Sequence, residues 1–302
     1  MLQSYWTYGA IAGIRESPAW RSWRGTWTDT GLLDWSAVSQ LHSTTVGQGP
    51  IRHVFCHGLF GRGRNWASLA RRLQPGASLL VDLPNHGESP WTDRFSYPEM
   101  ADALAGLLDE VVPVGQPSRD LTLIGHSMGG RAAMLTALAR PDLVDRLVVV
   151  DVAPQSTPDP TTTSYARAMA GLRPEDLASR QAADRALAPV VTDPGVRAFL
   201  VTGLRPDAEA PRWQFNLPVL ARDADLVMEW PDPGPVAPYP GPVLWLAGAN
   251  SGYVTLASHP AMRRLFPHYR LETIAGAGHW VHADAPAAVL DALTRFISQT
   301  SG

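Results

Sequence analysis

Residues 121–134, LTLIGHSMGGRAAM, restrict the fold more than any other part of the chain. Leu121, Leu123 and Ile124 predict a short apolar strand. The small and apolar run from Met128 to Ala139 predicts a packed helix. Between them Gly125-His126-Ser127-Met128-Gly129 has the form G-x-S-x-G. A strand, a tight turn and a helix in that order hold a serine hydroxyl clear of a sheet, where a base and a substrate can reach it. The same geometry asks for the two glycines, because strand and helix backbones approach too closely for a Cβ. G-x-S-x-G also occurs by chance. The strand before it and the helix after it are what point to a nucleophile.

A chain of 302 residues suits one large α/β domain or two small ones. With 45% hydrophobic and 18% charged residues it can bury a sizeable core. A net charge of −3 supplies no attraction to nucleic acid or to an anionic membrane. All 25 basic residues are arginine, which excludes a Schiff-base lysine, a P-loop lysine and a Ser-Lys dyad. Cys56 is the single cysteine, so there is no internal disulfide and no cysteine zinc site; within an apolar strand it reads as a buried, inert thiol. No apolar run is long enough to span a bilayer, and no basic stretch precedes an apolar signal segment, so a cytoplasmic location is expected.

Along the chain, residues 1–36 carry five tryptophans without helical or strand periodicity and are expected to be an extension, poorly ordered or packed at the periphery. Residues 37–302 are expected to form the domain. Strands are expected at 39–46, 51–56, 78–83, 146–151, 243–247 and 269–274, and helices at 64–73, 97–112, 258–266 and 286–297. Apolar strands alternating with helices predict a mostly parallel sheet covered on both faces. The proline-rich stretch 152–236 breaks this rhythm and is expected to be a helical cap insertion. Residues 231–242, PDPGPVAPYPGP, would lead back to the sheet.

A serine hydroxyl needs a base, an orienting acid and an oxyanion hole. On a strand–turn–helix elbow the acid and then the histidine follow the serine along the chain. His279, in the glycine-rich loop 275–279 after the last strand, is the expected base; His126 and His282 are the neighbouring alternatives. The loop GANSGYV at 248–254 carries Ser251 where an acid would be usual. Asp151, at the end of the preceding strand, is therefore the expected acid, with Asp284 or an acid-free dyad as alternatives. The backbone N–H groups of Met128, at a helix N-terminus, and of Leu59, in HGLFG, are the expected oxyanion donors. His57 reads as a residue that shapes that loop. Phe60, Trp213, Phe215 and Trp280, with Trp66, are candidates to line an apolar acyl pocket, although such aromatics are as often plain core.

Taken together, HGLFG at 57–61, VDLPNHGES at 81–89, GHSMGGRAAM at 125–134, RLVVVDVAP at 146–154, WQFNLPVL at 213–220, GANSGYV at 248–254 and AGAGHWVHADAP at 275–286 resemble the α/β-hydrolase superfamily. Within it the likeness is to the YbfF-type bacterial esterases and their mitochondrial relatives. It covers about residues 40 to 300. The resemblance implies an eight-stranded-type α/β-hydrolase sheet, Ser127 as nucleophile, His279 as base, and an acid at the strand end before the cap. It also implies a small-molecule acyl ester or thioester substrate with a short-to-medium chain. No metal or organic cofactor is called for, no nucleic-acid partner is implied, and a monomer or small homo-oligomer is expected. Leu83-Pro84, where relatives often carry a charged residue, departs from the pattern at the expected pocket rim. A carbon–carbon bond hydrolase or a perhydrolase would use the same residues, and a non-catalytic ligand receptor could retain them. Epoxide hydrolases and dehalogenases need a carboxylate in place of Ser127.

Overall fold

The computed structural model describes residues 41–111, 120–157, 159–207 and 210–300. The expected extension at 1–36 and the start of the strand expected at 39–46 lie outside the described residues. Among the described residues nine strands are formed: β1 (Ser43–Val46), β2 (Ile51–Cys56), β3 (Ala77–Val81), β4 (Thr122–His126), β5 (Arg146–Val150), β6 (Leu204–Arg205), β7 (Arg212–Trp213), β8 (Val243–Gly248) and β9 (Tyr269–Ile274). Seven of them make one sheet in the order β1-β3-β2-β4-β5-β8-β9. Only β1 runs antiparallel to its neighbour. That is one strand fewer, among the described residues, than the eight-stranded type expected; β1 is the first described segment that pairs.

Every residue of β3, β4, β5 and β8 is buried. A strand covered on both faces has no solvent side, so its sequence reads as a continuous apolar run. Alternate residues still face opposite cores. Val54, Leu123, Val149 and Trp245 join the core on one face, while Phe55, Ile124, Val148 and Leu244 join the core on the other.

Parallel neighbours need crossovers, and helices supply them. The helix expected at 64–73 is instead a 3₁₀ turn at Gly63–Trp66 followed by the single turn α1 (Ala67–Ala70). Gly63 lies against the β3 backbone, where a Cβ would meet the Leu80 carbonyl carbon at 2.7 Å. α2 (Tyr97–Val111) buries Met100, Leu104, Leu107 and Leu108, one stripe at helical spacing. Burying each such side chain contributes about 1.5–3 kcal/mol. α3 (Met128–Ala139) is buried throughout.

Between β5 and β8 the chain leaves the sheet. It forms α4 (Pro160–Ala170), a 3₁₀ turn at Pro174–Ala178, α5 (Arg180–Leu187), α6 (Pro194–Val201), the β6–β7 ribbon, α7 (Leu217–Arg222) and α8 (Ala224–Met228). The ribbon is an addition to the helical segment expected. After β8 come α9 (His259–Leu265), α10 (Val281–Asp284) and α11 (Pro286–Thr300). Among the described residues no helix is long and apolar enough to cross a membrane.

Candidate active site

β4 delivers the chain into a turn that only a special backbone can make. Ser127 has φ 51° and ψ −117° and stands directly before α3. Such a conformation costs about 1–3 kcal/mol for a residue with a Cβ and persists only where its surroundings enforce it. Here the Ser127 N–H donates to the Val150 carbonyl at 3.0 Å. A Cβ on Gly129 would press on the His57 carbonyl oxygen and lie 2.8 Å from the Cys56 carbonyl carbon. The turn thus fits only with glycine there.

His279 and Asp151 arrive from two other strand ends. Asp151 follows β5 at φ 52° and is completely buried. His279 lies in the loop between β9 and α10, with 17% of its side chain exposed. The Ser127 hydroxyl stands 3.0 Å from His279 Nε2, and His279 Nδ1 stands 2.7 Å from Asp151 Oδ2. With Nδ1 donating to the carboxylate, Nε2 is left free to accept from the serine. A buried carboxylate is costly unless its lone pairs are satisfied. The Gly248 N–H donates to Asp151 Oδ1 at 3.0 Å, and the Ser251 hydroxyl donates to Oδ2. Ser251, at the position where an acid would be usual, therefore donates to the carboxylate that follows β5.

The alternative candidates lie elsewhere. Asp284 is exposed and accepts the Gly278 N–H. His126 Nε2 is taken by the His279 carbonyl at 2.8 Å. Burial, then the neighbouring His279 and His282, push its pKa well below the usual histidine value. His282 stacks on Trp66 at 4.2 Å, and burial followed by His279 brings it down to about 4. The Cys56 thiol is pushed up to about 12 by burial.

The loop after β2 passes against the serine. A Cβ on Gly58 would stand 2.7 Å from His126 Nδ1 and 3.4 Å from Ser127 Cβ, so Leu59 follows at the edge of the elbow. Met128 opens α3, where the first N–H groups of a helix have no intrahelical partner. The Phe60 N–H, by contrast, is taken by His86 Nε2 at 3.2 Å. His57 donates from Nδ1 to the Gly58 carbonyl at 2.8 Å and accepts the Leu83 N–H at Nε2 at 3.0 Å.

A cavity of about 230 Å³ opens beside Ser127 and His279. Phe60 and Trp280 line it together with Tyr165, Val196, Phe199 and Leu200 from the insertion. Trp213 and Phe215 do not line it, contrary to expectation. Phe215 is 1% exposed and packs behind Phe60 at 5.1 Å, and Trp213 stacks on Phe215 at 5.3 Å. Trp66 belongs to the core on the other face of the sheet, beside Phe55. Leu83 is fully buried and is not at the rim.

Sequence reasoning left three residues of this region without a part: Ser251, His86 and Tyr253. The Tyr253 ring stacks on His279 at 4.0 Å, and its hydroxyl donates to Asp159 at 2.8 Å. The quoted motifs GANSGYV and VDLPNHGES contain all three, but their partners lie far away in sequence. Among the described residues no group of three or more His, Cys, Asp or Glu side chains is arranged to hold a metal ion.

Comparison with known proteins agrees with this architecture. The mouse (Mus musculus) sn-1-specific diacylglycerol lipase ABHD11 is 43% identical over 253 residues, which span 81% of this chain and 80% of that protein. Esterase YbfF of Escherichia coli (strain K12) is 37% identical over 247 residues, covering 81% of this chain and 92% of the relative. A solved marine microorganism esterase superposes with a TM-score of 0.78 at 29% identity, over 85% of this chain and 99% of its own. The model of the alpha/beta hydrolase family matches residues 54–292, and with that match, these relatives and the sheet just described, the chain belongs to the alpha/beta hydrolase family and is a hydrolytic enzyme.

Proposed function

We propose that the protein hydrolyses carboxylic esters or acyl-thioesters of short-to-medium chain through an acyl-enzyme on Ser127. The observation that carries this reading is the unbroken run of hydrogen bonds from the Ser127 hydroxyl through His279 to the buried Asp151, at the wall of an apolar cavity. The serine oxygen attacks the acyl carbonyl carbon as its proton passes to His279 Nε2. Asp151 orients the ring and stabilises the imidazolium that forms. The carbonyl oxygen, now negative, is received by the N–H groups of Leu59 and Met128, each worth about 3 kcal/mol in the transition state. His279 returns its proton to the leaving alcohol or thiol. A water then repeats the sequence, releasing the carboxylic acid and restoring the serine.

The lipase and esterase among the relatives support ester chemistry. Tyr165, Val196, Phe199 and Leu200 supply an apolar surface for the acyl chain, with Phe60 and Trp280 beside the reacting centre. The test is hydrolysis of p-nitrophenyl esters from acetate to palmitate by wild type and Ser127→Ala, followed by acyl-thioesters. Activity at short or medium chains that is lost in the variant sustains the reading. Equal rates from both folded proteins would sink it.

A further inference from the structure

We propose that His86 is a positioning residue for the oxyanion-binding loop: it fixes the Phe60 peptide so that the Leu59 N–H is the donor presented to substrate. This rests on the acyl-transfer reading above. His86 is completely buried and lies in the NHG turn after β3, away from the Ser127–His279–Asp151 hydrogen bonds. Its bonds determine its tautomer. Nε2 accepts the Phe60 N–H at 3.2 Å and so carries no proton, while Nδ1 lies 3.0 Å from the Pro84 carbonyl and so donates.

Phe60 has a φ of 60°, in the left-handed region that a side chain disfavours, and its N–H would be a buried orphan without the ring. His57 makes the reverse bond from the loop after β2, accepting the Leu83 N–H from the loop after β3 at 3.0 Å. The two rings lie 5.0 Å apart. Each loop therefore lends the other a histidine to hold one backbone N–H. Burial, then the nearby His57, brings His86 down to about 3, which keeps this ring neutral while the enzyme works.

The turn that carries His86 is itself braced from the insertion. The Gly87 N–H donates to the Gln214 carbonyl at 2.6 Å, the Asn216 N–H to the Asn85 carbonyl at 2.8 Å, and Phe215 packs on Phe60. The WQFN stretch is thus a strut behind the oxyanion loop, with Phe215 against Phe60 and Trp213 stacked behind Phe215, away from the cavity.

Two substitutions separate the two nitrogens of the ring. His86→Gln can place an oxygen where Nε2 was. His86→Asn reaches the Pro84 carbonyl but not the Phe60 N–H. The expectation on p-nitrophenyl butyrate is a kcat within about threefold of wild type for His86→Gln. For His86→Asn it is a loss of about 30- to 100-fold, with KM changed less than about threefold. Amide exchange read by NMR should find the Phe60 N–H slow in wild type and His86→Gln and fast in His86→Asn. In the ¹⁵N-labelled wild type, a coupling across the Phe60 N–H to His86 Nε2 reports the bond itself, whether or not a variant folds. An absent coupling, an undiminished kcat in His86→Asn, or a His86→Gln variant as impaired as His86→Asn would overturn the proposal. Ser127→Ala with wild-type activity would overturn the acyl-enzyme reading instead, and the coupling and exchange would still judge the clasp.

Discussion

Asp151 combines a left-handed φ with complete burial, and its carboxylate faces donors from two different loops, Ser251 and His279, besides the Gly248 N–H. Removing the charge should be far more damaging than removing one donor. Asp151→Asn is expected to lower kcat on p-nitrophenyl butyrate by about 10³- to 10⁴-fold, because the amide cannot hold the imidazole in the tautomer that accepts from serine. Ser251→Ala should lower it only about tenfold, the worth of one hydrogen bond to a charged group, with KM unchanged. A Ser251→Ala variant as poor as Asp151→Asn would show that the hydroxyl does more than satisfy a lone pair. Ser127 and Asp151 could be singled out in the sequence because each directly follows a buried apolar strand, and His279 because a glycine-rich loop follows the last strand. Ser251, Tyr253 and His86 were visible within motifs but not in their roles. Asp151 and Ser251 are 100 residues apart, and no local pattern encodes such a meeting.

The central strands β3, β4, β5 and β8 were legible because burial on both faces forces continuous apolar runs, and the elbow because its glycines cannot be replaced. Gly129→Ala should leave little folded protein or lose more than about 3 kcal/mol in a denaturant titration, since the new Cβ meets the backbone of the loop after β2. The helix expected at 64–73 had the right buried face, Trp66, Leu69, Ala70 and Leu73, but not the right backbone. Periodicity reports which side chains turn inward. It does not report that the first turn lies against β3. Trp213 and Phe215 illustrate the same gap, for an aromatic supporting a loop from behind has the same local sequence as one facing a ligand. α6, which carries Phe199 to the cavity wall 5.7 Å from Trp280, is the element expected to set chain length. Phe199→Ala should raise kcat/KM for decanoate relative to butyrate by about tenfold; an unchanged ratio would place the acyl chain elsewhere.

Over the whole molecule the histidines are concentrated inside. His53, His57, His86, His126 and His282 all have pKa values lowered first by burial, His53 and His282 to about 4 and His86 to about 3. The unfolded chain binds protons on these rings near pH 6.5, before the folded one does. The stability that comes from keeping them neutral is therefore complete above about pH 6.5 and is lost as pH falls toward 4 and 3. His53, His86 and His282 each contribute a slope of about 1.4 kcal/mol per pH unit in that window. Urea midpoints should fall steeply between pH 6 and 4, and His53→Gln, remote from the serine, should flatten the dependence by about one proton. Equal slopes in the two proteins would remove His53 from the account. Ser127, His279 and Asp151 sit on loops of the sheet, whereas most of the apolar lining belongs to residues 160–228. On the proposed reaction, what the molecule accepts and how it cleaves are written in separate stretches of chain, so a lineage could revise its diet by rewriting the insertion and inherit the reaction intact, provided the strut at 213–216 is kept.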